Sequence, residues 1–211
     1  MKYLGKLAAI TAIALTSAAP LMAQSAFEGG YYGGSVDITG GGTSAGGWTG
    51  DGSGDHSGVG IAGFVGYNFG SGPWVYGGEL NVGYSNATGS EECANPTWVC
   101  QTEIGTQASV RGRVGYTVDP NVLVYGFGGY AVAQANLTTI DAGLVEYPGK
   151  ATVQGYVLGL GLETAIQEMP GNLRVELAHN QFGATDFVND TTYTGVELSN
   201  FVISVGMVFG F

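Results

Sequence analysis

Eight stretches of this chain alternate with a period of two residues, and the gaps between them alternate in length. In 103–118, Ile104, Ala108, Val110, Val114, Tyr116 and Val118 share one parity, while Glu103, Gln107, Ser109, Arg111 and Arg113 share the other. A period of two sends successive side chains to opposite faces of a β-strand. The segments 58–69, 74–87, 152–166, 173–178 and 196–211 repeat the pattern. Two more, 29–38 and 122–137, are blurred, the second being apolar on both faces. The connections fall at 39–57, 70–73, 88–102, 119–121, 138–151, 167–171 and 182–195, which read long, short, long, short, long, short, long. The short ones carry the turn chemistry SGP, DPN and MPGN.

Two-faced alternation alone also suits a soluble β-sandwich. Alternating long and short connections are more specific. They point to an all-β fold, an eight-stranded antiparallel up-and-down transmembrane β-barrel with short periplasmic turns and long external loops. A tilted strand crosses a bilayer in ~9–11 residues, a length these segments supply. Composition agrees. Only 11% of residues are charged, 11% are aromatic and 39 are glycine, whereas a soluble domain is about 25% charged. Glycine has no three-residue period, which excludes collagen, and the apolar content argues against disorder.

Residues 1–23 have the three parts of a cleavable signal peptide: MKYLGK is basic, LAAITAIAL apolar, and TSAAPLMA small. Cleavage is expected after Ala23, or at a neighbouring bond because Leu21 is not small. The barrel domain is then 24–211. That part holds all 17 acidic residues but only four cations, Arg111, Arg113, Lys150 and Arg174. So acidic a chain without a basic patch is not expected to bind nucleic acid.

Strand parity puts Glu79, Arg111, Arg113, Glu163, Arg174 and Glu176 on the polar side. A charge facing lipid near midplane costs ~2–4 kcal/mol, so these six are expected to face the lumen. Counting from the short turns places them all in the periplasmic half and sets Arg113 level with Glu79. Arg111 and Arg113 are expected to reach Glu79, Glu163 and Glu176, with the guanidinium forks gripping carboxylates. One reading is a selectivity or gating filter. The other is a structural plug, since an eight-stranded barrel is just wide enough to be filled by its own side chains. Four glycines assigned inward, Gly77, Gly83, Gly105 and Gly115, leave room for a water-filled cavity.

The two cysteines, Cys93 and Cys100, suit one local disulfide in an exported protein. Without a nearby His they are short of ligands for a metal. Catalysis is not expected. His56 lies in the Gly-rich TGDGSGDHSG loop. His179, near the external end of the seventh strand, is followed by Asn180 and Gln181 with no serine beside it. The Asp51–Asp55 segment hints at calcium but lacks the third acidic ligand and the downstream Glu of an EF-hand loop. No cofactor or metal is expected.

The C-terminal octet Ser204–Phe211 has the form polar-x-Gly-x-x-aromatic-x-aromatic, carried by Ser204, Gly206, Phe209 and Phe211. It resembles the signal that bacterial outer-membrane barrels present to their assembly machinery. The stretches FEGGYYGGSVD, VRGRVGY, VYGFGGYA, GLGLE and LRVELAH extend the likeness over 27–211. The chain resembles the small eight-stranded outer-membrane barrels of the opacity-protein and OmpA-like group, found in many alphaproteobacterial surface proteins. That resemblance implies a monomer in a Gram-negative outer membrane. Its partners would be outer-membrane lipid, lipopolysaccharide, the assembly machinery and an unidentified ligand of the external loops. The leading expectation is a structural, surface-exposed envelope protein with a charge-plugged lumen. The alternatives are a narrow porin for small solutes and a loop-mediated adhesin or ligand binder.

Overall fold

The computed structural model describes residues 27–166 and 170–211. The signal segment expected over 1–23 lies outside them. Eight strands follow one another: β1 Gly29–Ser44, β2 Ser53–Ser71, β3 Trp74–Glu92, β4 Val99–Asp119, β5 Val122–Ile140, β6 Glu146–Ala165, β7 Asn172–Val188 and β8 Thr192–Gly210. Each pairs antiparallel with the next, and β8 returns to β1, so the sheet closes. Closure leaves no edge and pairs the backbone within the sheet, as a bilayer requires. At the β2–β3 turn the chain reverses through Gly72 at φ 61°, a left-handed position glycine occupies without steric cost.

The outward face carries two aromatic girdles. Near the short turns lie Tyr32, Phe69, Trp74, Tyr76 and Tyr116, with Trp74 and Tyr116 edge to face at 5.2 Å. Toward the other rim lie Tyr84, Tyr130, Tyr156 and Phe201, with His179 against Phe201 at 4.5 Å. Between the girdles the exposed face is Val, Leu and Ile. From Trp74 to Tyr84 the strand rises roughly 33 Å, and a tilt of about 40° reduces this to about 25 Å, the height of an outer-membrane apolar band.

The strands do not stop at the outer girdle. They run 16–21 residues, and the long connections shrink to 45–52, 93–98, 141–145 and 189–191. Most residues expected in external loops are therefore strand. The reason lies in polarity. Along β8, outward positions change from Phe201 and Ile203 to Ser199 and Glu197, while inward positions above the girdle become Leu198 and Val196, both buried. Beyond the membrane the barrel wall meets water, so the apolar face turns inward. A polar, glycine-rich stretch of this kind imitates a loop in sequence.

This external stem is packed inside by Ile104, Leu137, Val153, Phe182, Phe187 and Leu198, each at most 1% exposed. Trp48, from the β1–β2 tip, covers the mouth edge to face against Tyr193 at 5.0 Å. The Ala94 N–H donates to the Trp48 carbonyl at 3.1 Å, docking the β3–β4 tip onto this cap. Cys93 and Cys100 are joined in a disulfide that closes the 94–98 turn.

Candidate functional site

The lumen at membrane height is crossed by one network of ion pairs, positioned by facing register. Glu79 on β3 pairs directly with Arg111 on β4, and Glu163 on β6 with Arg174 on β7. Residues directly opposite on a ladder point to the same face of the sheet, so each pair enters the barrel together. Arg111 bonds Glu79 and lies 3.1 Å from Glu176. Arg113 reaches Glu163 at 3.2 Å and Glu79 only at 4.0 Å. Arg174 meets all three carboxylates: Glu79 at 2.6 Å, Glu163 at 3.2 Å and Glu176 at 3.7 Å. None of the six is more than 6% exposed. Three cations and three anions balance, and the charge-assisted bonds offset the desolvation that burial imposes.

Four aromatic residues complete this layer. Arg111 lies over Phe127 at 4.5 Å, Arg113 over Tyr125 at 4.0 Å, and Arg174 over Phe64 at 4.2 Å. The Tyr31 hydroxyl donates to Glu79 at 2.9 Å, and Tyr125 donates to Glu176 at 2.6 Å. Arg113 in turn donates to the Tyr31 oxygen at 3.3 Å. The rings supply the negative faces that guanidinium groups favour, in a space with little water. Tyr31, Tyr125 and Phe127 escaped sequence reasoning because they lie in the two blurred segments. Phe64 carried a legible signal, as a large ring in a row of Gly and Ala.

The rings fit because small residues face them. Gly161 lies opposite Tyr125 and Gly159 opposite Phe127, and a Cβ on either glycine would overlap the facing ring. Of the glycines expected to open a cavity, Gly77 is covered by Asn68, and Gly115 by Leu123 and Tyr125. Gly83 does line an internal chamber, while Gly105 sits in a bulge on the outer wall. The chamber, about 60 Å³, rests on Arg111 and Glu176 and is ringed by Asp37, Asn81, Gln107 and Ser204. At ~15 Å³ per water centre it has room for roughly four waters. On the short-turn side of the layer, Phe27, Val75 and Leu123 are buried.

The C-terminal residues occupy the β1–β8 seam. Ser204 and Gly206 face inward, opposite Asp37 and Ser35. Phe209 and Phe211 pack on Tyr32 at 5.6 and 6.2 Å in the inner girdle. At the other end, Asp51 Oδ1 accepts from the Ser53 N–H at 3.1 Å and the Thr49 hydroxyl at 3.0 Å. These bonds, the backbone one first, hold its carboxyl below the usual range. His56 is not in a loop. It lies on β2, facing inward in the stem, 3% exposed, and neither ring nitrogen has a hydrogen-bond partner among the described residues.

Comparison with known proteins places this architecture. A 22 kDa outer membrane protein of Rhizobium leguminosarum bv. viciae is 28% identical over 197 residues, which span 90% of this chain and 82% of that protein. A 25 kDa outer-membrane immunogenic protein of Brucella melitensis is 31% identical over 150 residues, 69% of this chain and 63% of that protein. Among solved structures, the attachment invasion locus protein Ail of Yersinia pestis aligns over 87% of this chain and all of its own, at 13% identity and a TM-score of 0.44. The profile of the outer membrane protein beta-barrel domain matches residues 8–209. The chain belongs to that family of outer-membrane β-barrels.

Proposed function

We infer that this protein is a closed, surface-exposed barrel of the envelope, holding its lumen shut while presenting a rigid external stem. The observation that carries this reading is Arg174, which bonds carboxylates from β3 and β6 and approaches a third on its own strand. A selectivity filter needs one sign of charge and a path. Here both signs are consumed in pairs, and a second, apolar packing stands above them in the stem. The octet ending at Phe211 would serve as the handle for assembly, and the folded barrel would act as a monomer. Recording from planar bilayers tests the reading. Closed barrels give no stable, reproducible conductance steps; a narrow porin gives steps that persist at constant voltage.

A second role, display to other cells or to an immune system, is supported by the relative named as immunogenic. It is also supported by the β5–β6 tip, where Leu144 is 84% exposed at φ 63°. Asp141 Oδ1 fixes that tip by accepting from the N–H groups of Gly143 and Val145 at 2.8 and 2.9 Å. An apolar side chain held outward in a strained backbone suits contact with a partner. Replacing Leu144 and Val145 by Ser should weaken recognition by serum raised against folded protein, without altering the barrel.

A further inference from the structure

Above the outer girdle the described stem carries acidic residues on every hairpin, among them Asp55, Glu92, Asp141 and Asp186, but only one Lys or Arg, Lys150. Among the described residues, no hydrogen bond or ion pair engages its amine. It lies on the rim of a recess of about 390 Å³ in the outer wall, within the ~300–1,000 Å³ of small-molecule sites.

Two consecutive bulges make this recess. On β3 the register slips between Tyr84 and Ala87, and on β4 between Ile104 and Gln107. Bulges bend a strand and re-aim its side chains, and they recur beside functional sites. The floor is Gly105, where an added Cβ would meet nothing nearer than 3.9 Å. The walls are the Tyr84 ring, Glu103, Gln134, Asn136 and Lys150. Glu103 and Asn136 also line a second recess of about 270 Å³ above, with Thr88, Ser90 and Gln101, so the polar surface continues upward.

Height identifies the occupant class. Tyr84 is a member of the outer girdle, and such girdles sit at the headgroups. An amine meets a phosphate, an aromatic face meets a sugar ring, and amide and carboxylate groups meet hydroxyls. Among the described residues of the acidic stem, Lys150 is the one Lys or Arg that offers an anionic headgroup a positive charge. We propose that the recess centred on Gly105 and Lys150 binds the phosphorylated saccharide headgroup of an outer-leaflet glycolipid.

The test uses full-length barrel refolded in zwitterionic detergent, with folding checked by gel migration before and after boiling. Native mass spectrometry counts bound lipopolysaccharide. Wild type should bind one molecule saturably. Lys150→Glu and Gly105→Phe should each weaken binding at least tenfold, Lys150→Arg should retain it, and Gly40→Ala on β1, which lines neither recess, should not change it. Phosphatase treatment of the lipid should reproduce the Lys150→Glu loss. Equal binding by wild type and Lys150→Glu would overturn the site. If the deacylated, still phosphorylated saccharide binds as tightly as the intact lipid, the assignment to a membrane lipid is overturned.

Discussion

Glu79 faces Arg111 directly across the β3–β4 ladder, yet it also accepts Arg174 from β7, the strand diametrically opposite β3 in a ring of eight. The pair is a strut across the full width of the lumen. Removing one member of a buried ion pair leaves the other charge unpaired and costs ~3–5 kcal/mol. Glu79→Arg and Arg111→Glu alone should each lower the unfolding free energy by about that much, read by urea titration in lipid vesicles. Combined, they should recover part of the loss, limited by Arg174, which would then face a like charge. Glu79→Arg with Arg113→Glu should recover less, because that pair is 4.0 Å apart.

The glycines opposite the lumen rings make a second test. Gly159→Val and Gly161→Val force side chains into the space of Phe127 and Tyr125. Overpacking of this kind costs ~1–3 kcal/mol. Gly40→Ala is the control, because nothing lies within 4 Å of its added Cβ. It should be neutral or slightly stabilising, since alanine loses less backbone freedom on folding. Equal effects at all three positions would mean that the ring–glycine fit contributes nothing.

Closing the short 94–98 turn by a disulfide should restrict the unfolded chain by about 2–3 kcal/mol. Cys93→Ser with Cys100→Ser should therefore increase protease cleavage in that turn and loosen the Trp48 cap docked on it. The membrane-embedded wall, remote from the turn, should keep its resistance to sodium dodecyl sulfate at room temperature. Loss of that resistance would show the tip to be coupled to the whole barrel.

Burial in the apolar stem lowers the proton affinity of His56, with Asp55 opposing the effect. The folded stem thus holds the ring neutral, while the unfolded chain takes up a proton near pH 6.5. The stability is full above pH 6.5 and declines as pH falls below that value toward the lower folded pKa. The protection factors of β2 amides near His56, exchange rates normalised to the intrinsic rate at each pH, should fall between pH 7.5 and 5.5. His56→Leu should abolish that change; an unchanged pH response in the variant would assign it to the stem carboxylates instead.

The register of polarity explains what was legible in sequence. Within the bilayer the outward face is apolar and the inward face polar, so parity alone located Glu79, Arg111, Arg113, Glu163, Arg174 and Glu176 on one side. Their partners were harder to read, because shear and strand order decide which layer a residue enters. Counting from the turns set Arg113 beside Glu79, whereas Arg111 is its direct ladder partner. Tyr31 and Tyr125 were hidden because an inward aromatic beside outward apolar residues erases the alternation. The stem was hidden for the opposite reason: its alternation persists with reversed sign, and glycine and polar residues dominate what remains.

The reversal of faces above the outer girdle sets the reach of the molecule. Eight residues separate Tyr84 from Glu92 on β3, roughly 26 Å along the strand and about 20 Å once tilted. A particle or antibody approaching the cell would meet a stiff, hydrogen-bonded post rather than a brush of mobile chain. Its contact surface is assembled from neighbouring strands that lie far apart in sequence. Reagents raised against short linear peptides would therefore match only the turn tips, and the rest of the post would be invisible to them.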